Sequence, residues 1–415
     1  MDTCVYPSKL SGSVRAPSSK SMMQRTIAAA MLSRGKCIIS SPSYCDDSLA
    51  AISIITGLGA KAELLPDRLV VESGGDTKEK ILNCGESGLA TRMFAPIAAL
   101  FSEEITLTGE NSLMKRPMTM IEEALSALGV KCLSPDGFLP VCIRGPLKGG
   151  RIEIDGSLSS QLLTGLLMAL PLAENNSEIT VGNLKSRPYI DMTMQILDNF
   201  GITVINKDYS VFTIPGKQKY IPCNSTVEGD WSGGAFLLVA GALGGRITVE
   251  GLRQQSAQSD KGIMEALQAA GATMHITDNT ITVEPSPLRS FTFDATHSPD
   301  LFPPLATLAA CCSGETAIKG VSRLAHKESN RAETIVNEFS KLGIRVTLED
   351  DIMKIAGGKP SGGEVESHND HRIAMAMAVA AIKASGRVCI KDSQSIAKSY
   401  PRFFNDMQQL GALIE

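Results

Sequence analysis

The sequence predicts an α/β (α+β) protein of two domains, each built from three copies of one βαβαββ unit. Three observations predict it: helix-ending glycines at near-constant spacing, a length of 415 residues, and β-like first residues with no helix of their own. Helical stretches that close on glycine recur six times, as "AAISIITGLG", "IEEALSALG", "MTMQILDNFG", "IMEALQAAG", "IVNEFSKLG" and "FFNDMQQLG". They end at Gly59, Gly129, Gly201, Gly271, Gly343 and Gly411, separated by 70, 72, 70, 72 and 68 residues. Glycine is the usual residue just past a helix end, because the chain there takes a left-handed conformation. One such glycine carries no information, whereas six at this spacing define a repeat.

The other elements of the unit are read outward from each glycine. After it come two β-type runs joined by a turn, as in "AKAELLPDRLVVE" and "ITVINKDYSVFTIPG". Before the amphipathic helix lies a further strand: "KCIISSP", "EEITLTG", "SEITVGN", "GRITVEG", "ETAIKGV" and "RVCIKDS". Before that strand lies a more apolar helix, such as "QRTIAAAMLSRG" or "LATRMFAPIAALF". A unit of this size buries a face only against its siblings. The last copy reaches a single strand at Glu415, and "DTCVYPSKLSG" at the start supplies the strand it needs. The units therefore group as residues 14–226 and as 1–13 plus 227–415, with a junction at "PGKQKYIPCNST". The alternative is one open solenoid, against which the closing N-terminal strand argues. The length also exceeds what one hydrophobic core supports.

Composition narrows the function. A net charge of −4 gives no electrostatic case for nucleic acid or an anionic membrane, so any positive site must be local. Ten cysteines without a CxxC pair, two of them adjacent at Cys311 and Cys312, fit free thiols in a reducing compartment. "MDTCVYPSKLSG" has no basic and no apolar signal region, and the longest apolar run, "IAMAMAVAAI", is half a membrane span. The expectation is a cytoplasmic protein that no membrane holds.

The chemistry gathers at helix starts. Lys20, Arg25, Lys115, Arg116, Lys185, Arg187, Lys327, Arg331, Arg372 and Lys398 all lie within a turn or so of one. Cations there oppose the helix dipole, at about 0.3–1 kcal/mol each. Repeated across the units, the arrangement predicts a ligand with several negative charges, held in a cleft between the two domains. Carboxylates accompany the cations: Asp46, Asp47, Glu86, Asp191, Asp230, Asp300, Glu328 and Asp370. For Asp46, Asp47 and Asp230 the plainer reading is a helix cap. Asp300 in "HSPDLFPP" and Glu328 in "HKESNR" suit an acid–base pair working on a polyanion. "SHNDH" has no second cluster to complete a metal shell, no nucleotide-binding glycine motif occurs, and Cys84 reads as a buried thiol.

In order along nearly the whole chain, "APSSKSMMQR", "GESGLATR", "LTGENSLMKRPM", "SLSSQLLTGLLMALPLA", "SRPYIDMT", "VEGDWSGGAF", "HSPDLFP", "HKESNR", "NDHRIAMAMA" and "AKSYPRFF" resemble the 5-enolpyruvylshikimate-3-phosphate synthases of the enolpyruvyl transferase family. The resemblance implies an inside-out α/β barrel in each domain, with helix N-termini facing an interdomain cleft. It implies transfer of the enolpyruvyl group of phosphoenolpyruvate to the 5-hydroxyl of shikimate 3-phosphate, in the shikimate pathway to chorismate and the aromatic amino acids. It implies the two metabolites as partners; no cofactor or metal is expected, and two domains that close on each other suggest a monomer. Ser21, Arg25, Ser159, Ser160, Ser186 and Tyr189 would meet shikimate 3-phosphate, and Lys20 and Gln161 would sit between the substrates. Gly88, Arg116, Arg331, Arg372 and Lys398 would hold phosphoenolpyruvate. Asp300 would accept the hydroxyl proton, Glu328 would help protonate the methylene, and Lys327 would bridge both roles and reach shikimate 3-phosphate with Asp300.

The chain departs from the family pattern in two loops. Glu86-Ser87-Gly88-Leu89 stands where many members read N-A-G-T, and pairing of Glu86 with Arg92 is the expected compensation. "LAHKESNR" replaces an Arg by Ala325 and an Asp by Asn330. Gly88 keeps the small residue at which the family admits glyphosate, so sensitivity is expected. Two alternatives stay open: the sister transferase acting on UDP-N-acetylglucosamine, whose loop cysteine is missing from "GENSLMKRP", and a non-catalytic anion-binding repeat scaffold.

Overall fold

A computed structural model of the chain describes residues 2–325 and 327–415. Among them the repeat is realised as twelve α-helices: α1 (Lys20–Leu32), α2 (Asp46–Gly57), α3 (Gly88–Ala98), α4 (Thr119–Ala127), α5 (Gln161–Ala169), α6 (Arg187–Asn199), α7 (Trp231–Gly244), α8 (Ile263–Ala269), α9 (Phe302–Ala310), α10 (Arg331–Lys341), α11 (His371–Lys383) and α12 (Phe403–Gln409). Six small mixed sheets accompany them. In the unit holding α5 and α6, Arg151–Asp155 runs parallel to Ser177–Gly182. That strand pairs antiparallel with Val211–Ile214, which pairs with Ile205–Lys207. The expected βαβαββ order is thus observed. The six helix-ending glycines all have φ between 75° and 103°, as a left-handed terminator requires.

The chain forms two compact units, Met1–Ser19 with Glu228–Glu415, and Lys20–Val227. The sequence placed the first crossing near residue 13, but it falls at 19/20 because two strands exchange sheets. Gly12–Arg15 leads into α1 yet pairs in parallel with Ile247–Glu250. Ser225–Thr226 leads into the α7 segment yet pairs with Lys36–Ser40. The first repeat's sheet therefore takes its leading strand from residues 225–226, and the fourth repeat's from residues 12–15. Closure of the sixth sheet is as expected: Thr3–Val5 pairs with Val388–Ile390, and Cys4 and Glu415 exchange backbone hydrogen bonds of 2.8 and 2.9 Å.

One expectation is corrected here. Cys4 and Cys389 form a disulfide, where free thiols were expected. The two lie directly opposite one another in the antiparallel register, with Cα atoms 4.0 Å apart, and a sequence separation of 385 conceals that pairing. The other eight cysteines are free. Burial pushes the Cys84 thiol up to about 12, so it is an inert buried group.

Odd-numbered helices are enclosed and even-numbered ones are amphipathic, because each odd helix packs among its siblings inside a unit. Every residue of α3 is buried. α3 and α5 approach so closely that a Cβ on Gly165 would lie 2.7 Å from the Met93 carbonyl oxygen. In the other unit α11 packs against both α7 and α9, and the Thr307 hydroxyl donates across to the Ala376 carbonyl at 3.3 Å. None of these helices is long and apolar enough to cross a membrane.

Candidate active site

The residues singled out from sequence fall into two sets, one in each unit. In the Lys20–Val227 unit, Lys20 opens α1 and its Nζ lies 2.8 Å from Asp47 Oδ2. Asp47 sits in the first turn of α2, whose N-cap is Cys45 without a side-chain cap. Asp47, expected as a cap, fixes the Lys20 ammonium. Arg25, one turn further along α1, is buried and donates to the hydroxyls of Thr193 and Thr164 and to the Ser21 carbonyl. The Tyr189 ring lies 5.8 Å from its guanidinium. These partners are neutral, and burial lowers Arg25 to about 10. A buried cation set among neutral donors and acceptors is built for an anion from outside. Ser186, at φ 55°, leads into α6, and Ser160 is buried at the N-cap of α5, where Ser159 Oγ accepts from the Gln161 N–H at 3.1 Å.

A second cluster in this unit forms where α3 and α5 begin. Arg92 donates to Gln161 Oε1 at 2.9 Å and to the Pro117 carbonyl at 3.3 Å. Arg116 is buried, and among the described residues no acceptor meets its Nε or one terminal nitrogen. A Cβ on Gly88 would lie 2.9 Å from a terminal nitrogen of each arginine. Glycine at this helix start thus keeps two guanidinium groups and the α3 N–H groups open to one small anion. The Glu86 carboxylate, expected beside Arg92, receives the Ser112 hydroxyl at 2.8 Å and the Asn111 amide at 3.3 Å. Lys115 and Arg187 are exposed, and Arg187 stacks over Tyr209, so neither joins this cluster.

In the other unit the "HKESNR" and "NDHR" loops interlock, and His326 lies outside the described residues. Arg331, the first residue of α10 and fully buried, binds three carboxylates: Asp300 Oδ1 at 2.6 Å, Glu328 Oε2 at 2.5 Å and Asp370 Oδ2 at 2.8 Å. Asp300 also meets Lys327 at 3.3 Å and Arg372 at 3.1 Å. Asp370 caps α11 through the Arg372 N–H and takes the Ser329 hydroxyl. Lys398 donates to the Asn369 carbonyl at 2.6 Å. Arg116 and Lys398 stand at the ends of short 3-10 turns ahead of α4 and α12 rather than on those helices.

Electrostatics divide the roles in this network. Burial alone would raise Asp300, but Arg372, Lys327 and Arg331 outweigh it and hold the carboxyl well below its usual range. Burial lowers Lys327, an effect that Asp300 partly offsets. Asp260, buried against the Ser232 hydroxyl, is pushed up to about 6 by burial and then by the charge of Asp300. Sequence reading passed over Asp260 and Arg323, which donates to the Thr296 carbonyl beside this loop, and took Asp47 for a cap. Asp230 caps α7 as expected, through Gly233 N–H at 2.9 Å.

The model of the family described as EPSP synthase (3-phosphoshikimate 1-carboxyvinyltransferase) matches residues 5–407. The chain belongs to the EPSP synthase family. It is 37% identical to a 3-phosphoshikimate 1-carboxyvinyltransferase of Clostridium perfringens over 99% of its own length and 98% of that protein. With the enzyme of the same name from Clostridioides difficile it shares 38% identity, again over 99% and 98%. A solved EPSP synthase structure from Acinetobacter baumannii superposes with a TM-score of 0.85 at 26% identity, covering 100% of this chain and 99% of that one.

Proposed function

We propose that the chain moves the enolpyruvyl group of phosphoenolpyruvate to the 5-hydroxyl of shikimate 3-phosphate, with release of phosphate. The observation that carries this is the grouping of Asp300, Lys327, Glu328, Arg331 and Arg372. A binding scaffold has use for the cations but none for a base and an acid interleaved with them.

In the proposed sequence the 5-hydroxyl oxygen bonds to C2 of phosphoenolpyruvate while C3 gains a proton. C3 then loses a proton as the C2–O bond to phosphate breaks, and the double bond re-forms. Asp300 takes the hydroxyl proton, Glu328 helps supply the proton to C3, and Lys327 and Lys20 steady the negative charge that passes between them. Arg25, Ser21, Ser159, Ser160, Ser186 and Tyr189 hold shikimate 3-phosphate, together with Asp300 and Lys327. Gly88, Arg116, Arg331, Arg372 and Lys398 hold phosphoenolpyruvate, and Gln161 and Lys20 touch both. No cofactor enters these steps, and the proposal is of a monomer in the cytoplasm. The grouping of Arg92 with Gln161 and Gly88 supports the anion assignment in one unit, and in the other the gathering of Lys327, Arg331 and Arg372 around Asp300 supplies the cations the assignment needs.

Phosphate release from phosphoenolpyruvate tests the proposal. Release is expected with shikimate 3-phosphate and not with UDP-N-acetylglucosamine, and Lys20→Ala should lower kcat by about a thousandfold or more. Silence with both acceptors in the wild type would sink it. Arg25→Met gives a separate check. It should raise KM for shikimate 3-phosphate about a hundredfold, while the unfolding midpoint stays level or rises, because an apolar side chain replaces a buried cation that has neutral partners. A large loss of stability with unchanged KM would mean that Arg25 serves the fold.

A further inference from the structure

Lys398 and Asp370 owe their placement to one short loop, Ser367–Asp370, and that loop holds an uncommon backbone. His368 and Asn369 lie consecutively in the left-handed region, at φ 52° and 55°. Residues other than glycine take that conformation only where the surroundings fix it. Two contacts fix it here. Ser367 Oγ accepts from the Asn369 N–H at 3.2 Å and donates to the Asp392 carbonyl at 2.9 Å. His368 Nε2 lies 2.8 Å from Oε1 of Glu338, which is 1% exposed. A carboxylate only accepts, so Nε2 carries the proton. Glu338 is itself held by the Glu366 N–H at 2.8 Å and by Lys341 Nζ at 2.8 Å. Against the cost of its burial, the hydrogen bonds from His368 and Lys341 keep it ionised.

Glu338 follows Arg331 by seven residues on α10, two turns along the same face. One helix face thus grips the loop twice: Arg331 binds Asp370, and Glu338 binds His368. Between these grips the Asn369 carbonyl is turned onto the Lys398 ammonium at 2.6 Å, and Asp370 is turned onto the Arg372 N–H at 3.0 Å. We infer that the His368–Glu338 contact is a latch that orients Lys398 and Arg372 toward the phosphoenolpyruvate anion. His368 and Glu338 are positioning residues for phosphoenolpyruvate binding and touch no substrate. The inference rests on the reading of Lys398 and Arg372 as ligands of that anion.

Two substitutions at one position separate the latch from backbone preference. Asparagine tolerates the left-handed region well, but its amide stops short of Glu338. Glutamine tolerates it less well, yet places Nε2 where the ring nitrogen stands. Phosphate release is measured with varied phosphoenolpyruvate at saturating shikimate 3-phosphate, and then with the roles reversed. His368→Asn is expected to raise KM for phosphoenolpyruvate about tenfold, with kcat within about threefold and KM for shikimate 3-phosphate unchanged. His368→Gln should stay within about twofold of wild type, as should Lys341→Met, which removes the other side-chain partner of Glu338. The reverse order, with asparagine the better residue, overturns the latch, as does an equal rise in both KM values. Should the wild type itself be silent, the functional reading falls first. Amide exchange at Asn369 and Asp370 in the full chain then decides the latch. Faster exchange in His368→Asn but not in His368→Gln supports it, and equal rates in all three proteins overturn it.

Discussion

Arg331→Met is expected to abolish phosphate release, with kcat/KM lower by about a thousandfold or more, and to destabilise its unit by about 3–5 kcal/mol. The first effect follows from the proposed role of Arg331 as an anion ligand at the start of α10 and the second from what remains. Asp300, Glu328 and Asp370 would keep their charges around an apolar side chain, and Asp370 is itself fully buried. The double variant Arg331→Met, Asp370→Asn separates these effects. Removing both members of a buried ion pair is far less costly than removing one. Urea unfolding of the double variant should therefore recover part of the lost stability, while phosphate release stays absent. Recovery of both together would show that Arg331 supports the structure and does not meet substrate.

What the sequence could disclose depended on distance along the chain. The repeat was legible because the helix-ending glycines answer a local requirement that each unit must satisfy for itself, and all six take the left-handed conformation. The closing N-terminal strand was legible from a deficit of one strand. The exchange of Gly12–Arg15 and Ser225–Thr226 between sheets was not, because each strand is as well suited to one parallel neighbour as to the other. The Cys4–Cys389 bond stayed hidden for the same reason: register, not spacing, sets cysteines opposite one another.

The candidate site shows the same division. Cations at helix starts stood out because they contradict the helix dipole locally. Their partners did not. Asp47 reads as a cap until Lys20 is seen beside it, and nothing in the sequence near Glu86 points to the Ser112 hydroxyl it receives. Glu338 resembles any acidic residue on an amphipathic helix, and only the loop at His368 shows what it holds. Residues that bind an anion announce themselves by charge, whereas residues that aim them are visible only when the chain is folded.

Asp300→Asn should lower kcat by about 10²–10⁴-fold and leave KM for phosphoenolpyruvate unchanged or smaller. The carboxylate occupies Arg331, Arg372 and Lys327 at once, so its charge competes with an incoming anion for those donors. Asparagine gives up the base and eases the competition. The pH dependence follows from the same contacts. Asp300 has its folded value depressed well below the ordinary carboxylate range, so its stabilising contribution is present above the unfolded value and is lost as pH falls through the folded one. Wild type should thus lose stability toward acid more steeply than Asp300→Asn, which lacks that titration. Asp300 also stays ionised through mildly acid solution, so the acid limb of kcat/KM near neutrality should belong to another group. Asp260, raised to about 6 beside Ser232, is the buried carboxyl placed to supply it. Asp260→Asn should then remove a limb near pH 6 that Asp300→Asn, at its lower rate, retains in some shifted form. A limb that vanished only with Asp300 would show that bound substrate frees that carboxylate from its cations before it acts as the base.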